Sequence, residues 1–226
     1  MIPWEFIDSA QVPGTGGELC LYRRGDEFSI RLENCELMNS RVHGSEDALA
    51  ELACARIAHR TCPRVLIGGL GMGYTLASAL RLLGNDARVV VAELVPAVVE
   101  WNRGPLAHLA AYPLEDERVS IRKIDVARML KDKQRAYDAI LLDVDNGPDG
   151  LTRQENDWLY TRSGLDACVG ALRVGGVLAV WSAGPDRAFT KRVRQAGFKV
   201  EEVQVHARGS RRGGRHTIWI AVHGGL

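Results

Sequence analysis

The pattern of apolar and polar positions changes after Pro63. From there on, short apolar segments rich in β-branched residues alternate with segments of helical periodicity. Five of these short segments fit buried strands: residues 64–67, 88–92, 119–121, 139–142 and 176–180. Such strands, connected by crossover helices, are typical of a parallel sheet covered on both faces. The pattern therefore predicts an α/β fold.

The C-terminal end departs from this alternation. Residues 198–207 and 216–222 are both strand-like, and only residues 208–215 connect them. A connection of this length is too short for a crossover helix. We therefore expect the last two strands to pair antiparallel.

The N-terminal part has a different pattern. Residues 19–38 alternate in short apolar runs around Gly25, which predicts a β-hairpin. Ser45 is a candidate N-cap for a helix that extends to about Arg60. We therefore predict a small β appendage over residues 1–44 and a main domain over residues 45–226.

The charge composition of the chain indicates which classes of binding partner it is not expected to attract. The chain has 226 residues, and its 29 Lys and Arg against 28 Asp and Glu give a formal net charge of +1. No global field attracts nucleic acid or an anionic membrane. Residues 208–215 contain four arginines, which would suit phosphate or RNA, but such loops are usually solvated. We expect neither a membrane nor a nucleic acid as partner.

Cysteine and histidine usage indicates neither a disulfide framework nor a metal site. The five cysteines never occur as C-x-x-C, and the six histidines form no metal-spaced pair. The first residues lack a basic region followed by an apolar stretch. We therefore predict free thiols, no bound metal and a cytoplasmic location.

A glycine-rich turn carries the clearest indication of chemistry. Gly69, Gly71 and Gly73 lie between a predicted strand and a predicted helix, where the main chain can approach a ligand closely. Glu93 ends the next strand, a position from which a carboxylate accepts hydrogen bonds from ribose hydroxyls. Together they predict an adenosine cofactor. A tight turn without a ligand, followed by an exposed glutamate, is the alternative.

The spacing of the glycines distinguishes between adenosine cofactors. A nicotinamide site has G-x-G-x-x-G, whereas Tyr74 occupies that third glycine position here. The G-x-G-x-G spacing resembles class I S-adenosylmethionine-dependent transferases, which implies a Rossmann-like sheet of order 3-2-1-4-5-7-6. In that family an acid at the position of Asp125 meets the adenine amino group, beside a backbone N–H assigned here to Val126. Asp125 is equally a candidate helix N-cap.

Within that fold, the chain resembles the spermidine synthase (aminopropyltransferase) family from about Leu19 to about Val180. The matching segments are residues 65–73, 91–94, 116–127, 137–143 and 172–178. The resemblance implies that Asp143 deprotonates and orients an attacking amine, since an ammonium has no lone pair until it loses a proton. It also implies decarboxylated S-adenosylmethionine as donor, a polyamine as acceptor and a homodimer.

The chain departs from this family at several positions. Met72 replaces the acid that binds the donor's amino group, and Asn146 replaces the acid three residues after Asp143. The family's Tyr-His pair has no match in residues 43–46, where only Glu46 is retained. Asp145 and Asn146 are candidate acceptor-binding residues. Residues 143–150 would also suit an ordinary turn.

These observations lead to one main hypothesis and its alternatives. Residues 45–226 are expected to bind S-adenosylmethionine or its decarboxylated form and to transfer a methyl or aminopropyl group to a small amine-bearing acceptor. Met72 favours methyl transfer, whereas the acids after the fourth strand favour a cationic amine. The alternative is a catalytically degenerate nucleotide-binding or scaffold protein that kept the fold.

Overall fold

A four-stranded antiparallel sheet forms the N-terminal part of the computed structural model. The structure describes residues 2–14, 17–33, 35–132, 134–144, 157–208 and 214–224. The strands, paired in chain order, are β1 (Glu5–Gln11), β2 (Glu18–Arg24), β3 (Glu27–Leu32) and β4 (Cys35–Asn39). The hairpin predicted around Gly25 is the central pair, β2 and β3. The structure thus adds a strand on each side of it.

A seven-stranded sheet forms the larger part of the molecule. Its strands are β5 (Arg64–Gly68), β6 (Arg88–Glu93), β7 (Val119–Lys123), β8 (Tyr137–Leu142), β9 (Leu172–Ser182), β10 (Phe198–His206) and β11 (Arg215–His223). Their order is β10-β11-β9-β8-β5-β6-β7, and β11 is antiparallel to both of its neighbours. Counted from β5, this is the predicted order 3-2-1-4-5-7-6, so the predicted fold class is confirmed.

Helices cover both faces of the large sheet. They are α1 (Gly44–Ile57), α2 (Tyr74–Leu82), α3 (Pro96–Arg103), α4 (Val126–Asp132), α5 (Asp157–Tyr160), α6 (Arg162–Ala171) and α7 (Arg187–Gln195). Alternate residues of β5 face the two layers. Val65 and Ile67 join the cluster that contains α1, α2 and α3, and Leu66 joins the cluster that contains α4, α6 and α7. The sheet therefore separates two hydrophobic cores.

The start of α1 differs from the prediction. The residue before the helix is His43, no side chain caps the helix, and α1 ends at Ile57. Ser45 lies inside the helix, and its hydroxyl donates to Glu46 Oε2 at 2.6 Å. The predicted cap is therefore wrong, because the hydroxyl bonds a neighbouring carboxyl instead of a free backbone N–H. Pro96, by contrast, begins α3 as predicted.

The N-terminal sheet packs on the same face of the large sheet as α1, α2 and α3. Leu21, Phe28 and Ile30 belong to the core cluster of that face. A hydrogen bond of 2.7 Å from Trp101 Nε1 to Asp8 Oδ2 ties α3 to β1. None of the described helices has the length and apolar character that crossing a bilayer requires.

Candidate active site

A cavity of about 340 Å³ lies where the central parallel strands end and the N-terminal sheet covers them. In sheets of this type ligands bind at the carboxyl ends of the strands. The described lining includes five acids, Glu36, Glu46, Glu93, Asp125 and Asp143, and it includes neither lysine nor arginine. The described wall of the cavity is thus acidic.

The glycine-rich turn after β5 forms one edge of the cavity. Gly69 has φ of +88°, and a Cβ there would collide with the carbonyl oxygen of Asp143. The turn is fixed from behind, since Gly69 N donates to Ala92 O at 2.9 Å. Met72 and Tyr74 are buried and are not part of the described lining. Gly69 and Gly71 therefore bring main chain to the cavity, and the side chain of Met38 lies over Gly71, where an added Cβ would come within 2.6 Å of its Cε.

Glu93 lies at the end of β6, as the sequence predicts, and it lines the cavity. Its side chain is held by the main chain: Oε2 accepts from Leu70 N and Oε1 accepts from Val95 N, both at 2.8 Å. A carboxylate offers about four acceptor positions. These two bonds are therefore compatible with further hydroxyl donors from a ribose.

Asp125 follows β7, where it caps the next helix and also lines the cavity. Its Oδ1 accepts from Ala127 N at 2.7 Å, which is a helix-capping bond at the start of α4. Asp125 and Val126 also line the cavity. A Cβ on Gly68 would lie 3.0 Å from Val126 Cγ2. Close packing against Gly68 thus fixes where Val126 meets the cavity.

Asp143 ends β8, and the adjacent strand and helix both hold it. Its backbone N donates to Gly68 O at 2.9 Å, and Thr75 Oγ1 donates to Asp143 Oδ2 at 2.6 Å. Burial raises the pKa of Asp143 to about 6. A carboxyl with such a pKa is ionised for most of the time at neutral pH and can still accept a proton.

Two further residues bring ionisable groups to the same cavity. Burial, together with the nearby charge of Asp143, raises the pKa of Glu46 to about 7. His216, on β11, places Nδ1 2.8 Å from Ser45 Oγ, and burial lowers its pKa. Sequence reasoning noted Glu46 only as a retained residue and gave His216 no role. The pairing of β11 with β9 places His216 beside the cavity.

An indole completes this side of the cavity. Trp181, at the end of β9, lines the cavity and contacts the His216 ring edge to face, with centroids 4.8 Å apart. Its buried Nε1–H has no hydrogen-bond partner among the described residues. Sequence reasoning did not identify Trp181 as a site residue.

Comparison with known protein families identifies the family to which the chain belongs. The family model described as "Spermine/spermidine synthase domain" matches residues 48–195, which is more than half of the chain. The chain belongs to the spermine/spermidine synthase family. The matched region contains the glycine-rich turn, Glu93, Asp125 and Asp143. It begins after Glu46 and ends before His216.

Curated proteins of this family are moderately similar to this chain in sequence. A polyamine aminopropyltransferase of Oceanobacillus iheyensis is 30% identical over 166 residues, which cover 71% of this chain and 31% of that protein. Another, of Nitrosomonas europaea, is 34% identical over 131 residues, which cover 57% of this chain and 38% of that protein. The chain thus spans about a third of the length of the curated relatives it matches.

Solved structures of the family share the fold. Spermidine synthase from Thermotoga maritima superposes with a TM-score of 0.76 at 19% identity, covering 97% of this chain and 73% of that one. A spermidine synthase in complex with the transition state analogue AdoDATO superposes with a TM-score of 0.80 at 19% identity, covering 97% and 74%. This likeness supports the predicted architecture.

The acidic segment that follows Val144 in the sequence is outside the part of the chain that the structure describes. Asp145, Asn146 and Asp149 lie outside the described residues. The candidate acceptor-binding role of Asp145 and Asn146 remains a prediction.

Proposed function

We propose that the protein is an aminopropyltransferase that uses decarboxylated S-adenosylmethionine as donor and a small amine, such as a polyamine, as acceptor. The names of its curated relatives and its family membership support this activity. The acidic cavity is the single observation that carries the proposal.

The charge of the cavity favours the decarboxylated donor. Its described lining holds five acidic side chains and no lysine or arginine. S-adenosylmethionine has a carboxylate that would need a cationic partner, and like charges at close range are unfavourable. The decarboxylated form and a polyamine are both cations, so the same acids would attract them.

The nucleoside half of the donor fits the turn and the two strand tips. Gly69 and Gly71 line the cavity, whereas Gly73 is not part of the described lining. Glu93 would accept hydrogen bonds from the ribose hydroxyls, and Asp125 with Val126 would contact the adenine. When bound, the sulfonium supplies an activated leaving group.

Asp143 would act on the acceptor. Thr75 orients its carboxyl, and burial raises its pKa to about 6, so at neutral pH it is mostly ionised and can accept the proton that an ammonium must lose to become a nucleophile. The cavity positions the amine and excludes bulk water, which are the main tasks left to the protein. Asp145 and Asn146 are proposed to bind the far part of the acceptor.

Methyl transfer is the second candidate, and Met72 is the observation that favours it. The family's anchor for the donor's amino group would occupy this position, and here a methionine is buried in the core, 1% exposed. A nucleotide-binding scaffold without turnover is the other alternative. A homodimer, which the family resemblance implies, is a separate proposal that light scattering would test.

One comparison separates these functions. Calorimetry should show that decarboxylated S-adenosylmethionine binds at least roughly tenfold more tightly than S-adenosylmethionine, an advantage of about 1.4 kcal/mol. Mass spectrometry after incubation with 1,4-diaminobutane or spermidine should show an added aminopropyl group. Asp143→Asn should abolish product, whereas the exposed control Asp166→Asn should not. Tighter binding of S-adenosylmethionine with a methylated product would support methyl transfer instead.

A further inference from the structure

Glu46 is a buried carboxyl in the described wall of the cavity, and a threonine of α2 contacts both Glu46 and Asp143. Glu46 is 8% exposed and lies in the first turn of α1, whereas Asp143 lies at the end of β8. Thr75 links the two: its hydroxyl donates to Asp143 Oδ2 at 2.6 Å, and the same oxygen lies 3.4 Å from the main-chain carbonyl oxygen of Glu46. One residue of α2 therefore contacts the carboxyl of Asp143 and the main chain of Glu46.

A hydrogen-bonded chain fixes the orientation of the Glu46 side chain. Ser45 is fully buried and donates its only hydroxyl proton to Glu46 Oε2 at 2.6 Å. His216 Nδ1 lies 2.8 Å from the same hydroxyl oxygen. Because that proton is already used, the His216 contact requires an N–H on Nδ1. The chain therefore runs from His216 through Ser45 to Glu46, with each group donating to the next.

This arrangement suits an ionised Glu46. While the Ser45 oxygen accepts the His216 N–H, the hydroxyl proton is directed away from the ring and toward Glu46, so the neutral ring favours the donating direction. Hydrogen bonds to a carboxylate stabilise its charged form. The chain therefore opposes the burial and the Asp143 charge that favour protonation.

We propose that Glu46 is a second proton-accepting carboxyl that acts with Asp143 on the acceptor amine, and that His216, through Ser45, is the positioning residue that keeps Glu46 oriented and available. The inference rests on the proposed aminopropyl transfer. Both carboxyls and His216 line the cavity in which the amine would bind.

The acceptor ammonium gives one proton to the Glu46 and Asp143 pair and becomes a neutral amine. Its nitrogen lone pair forms the new N–C bond while the C–S bond of the donor breaks, and that electron pair stays on sulfur as a neutral thioether. The product is an alkylated ammonium, and the pair returns its proton to solvent before the next turnover.

Several charged or titratable groups act on Glu46, and any pH profile reflects all of them. Asp143 faces it from β8, and Ser45 together with His216 faces it from α1 and β11. His43, which precedes α1, lowers the pKa of Glu46. Burial and, to a smaller extent, the charges of Glu46 and Asp47 raise the pKa of Tyr74 on α2.

Titration of the free protein tests the pair directly. With ¹³C-labelled glutamate side chains, Glu46 should titrate well above an ordinary glutamate. Asp143→Asn should lower that pKa, and Ser45→Ala should raise it, each by roughly half a pH unit or more. Glu51→Gln, an exposed control on α1, should leave it unchanged. An ordinary pKa for Glu46, or no response to Asp143→Asn, would overturn the pairing.

Steady-state kinetics test the role of Glu46 in the transfer of the aminopropyl group from decarboxylated S-adenosylmethionine to 1,4-diaminobutane. Glu46→Gln should lower kcat by about tenfold to a hundredfold and should simplify the acid limb of the pH profile to one ionisation. The affinity for 5′-methylthioadenosine should be unchanged, because the nucleoside is proposed to bind at Glu93 and Asp125 rather than at Glu46. Glu51→Gln should have the kcat of the original protein.

The His216 variants separate positioning from simple packing. His216→Phe should move the acid limb in the same direction as Ser45→Ala. His216→Asn, which restores an N–H donor, should return the profile. Equal behaviour of the two His216 variants, or an undiminished kcat in Glu46→Gln, would overturn the inference. Absence of product from the unaltered protein with every amine would instead refute the proposed function.

Discussion

Glu93 Oε2 accepts the backbone N–H of Leu70 at 2.8 Å, and this bond joins the end of β6 to the glycine-rich turn that follows β5. The other carboxylate oxygen accepts from Val95 N at the start of α3. One buried side chain therefore shapes two connections while it lines the cavity. A carboxylate at this position contributes both to the fold and to the proposed ribose site.

Substitution of Glu93 should reduce both stability and ligand binding. Glu93→Gln replaces one acceptor oxygen by an NH₂ group, which cannot accept from Leu70 or Val95. Since a hydrogen bond to a charged group contributes about 1.5–3 kcal/mol, we expect 5′-methylthioadenosine to bind at least roughly tenfold more weakly in calorimetry, and thermal unfolding to occur at a lower temperature.

Glu100→Gln is the matched control for this measurement. Glu100 is an exposed glutamate of α3 that pairs with Lys123 at the surface, where ion pairs contribute little. It should retain both the affinity and the melting temperature. Unchanged binding in Glu93→Gln would mean that the nucleoside occupies another part of the cavity.

Gly69 should not tolerate a side chain. An alanine there would have φ of +88°, and its Cβ would collide with the carbonyl oxygen of Asp143. Because that contact is with main chain, relief requires movement of β5 or β8. We expect Gly69→Ala to lower the free energy of unfolding by about 1–3 kcal/mol and to lower kcat by displacing Asp143.

Gly170→Ala gives the opposite expectation for the same chemical change. Gly170 lies in α6, and a Cβ there would meet nothing within 4 Å. Alanine is favoured over glycine in a helix by about 1 kcal/mol. Denaturant unfolding should therefore show equal or greater stability than the original protein. Equal losses in both variants would contradict the proposed collision.

The large sheet was predictable from the sequence because its strands are marked locally. The strand at residues 139–142 is an unbroken apolar run, and β8 is buried at every position. The N-terminal sheet was predicted only in part. β1 has no fully buried residue and changes register between Phe6 and Asp8, and β4 is likewise only half-buried or exposed. Strands without alternating apolar positions lack the pattern that sequence analysis detects.

The residues of the candidate site likewise fall into two groups: those that a local sequence pattern marks and those that it does not. Glu93 and Asp143 were identified because each ends an apolar strand, and parallel strand tips share one edge of a sheet. His216 was not identified from the sequence, because Ser45, its hydrogen-bond partner, is 171 positions away. That contact depends on how β11 and α1 pack in three dimensions. No spacing rule connects residues so far apart, so only the structure brings them together.

Asp138 should be among the residues of the large sheet most sensitive to substitution. It is 1% exposed on β8, and its Oδ2 accepts from Arg64 N and from Arg173 Nη1, both at 2.8 Å. Its loss would leave the Arg64 N–H without this acceptor and the Arg173 guanidinium without its ion pair, and a hydrogen bond to a charged group contributes about 1.5–3 kcal/mol. Asp138→Ala should therefore unfold at markedly lower denaturant concentration. Asp132→Ala, on α4 at the surface, should not.

The stability of the protein should fall as the pH rises from about 4 to about 7, and Glu46 should cause a large part of that fall. Its folded pKa of about 7 lies above the value of about 4.3 expected in the unfolded chain. The folded state therefore binds the proton more tightly. The resulting stabilisation is complete below about pH 4 and is lost as the pH rises to about 7.

Glu46→Gln removes this titration, so its stability should depend less on pH than that of the original protein. One pKa unit corresponds to about 1.4 kcal/mol, so the difference between the two proteins should change by up to about 3 kcal/mol between pH 4 and pH 8 in favour of the variant. Melting temperatures measured across this range would show it as a shift of several degrees. Glu51→Gln should run parallel to the original protein. If Glu46→Gln also ran parallel, Glu46 would have to titrate as an ordinary glutamate, and its burial beside Asp143 would carry no electrostatic cost.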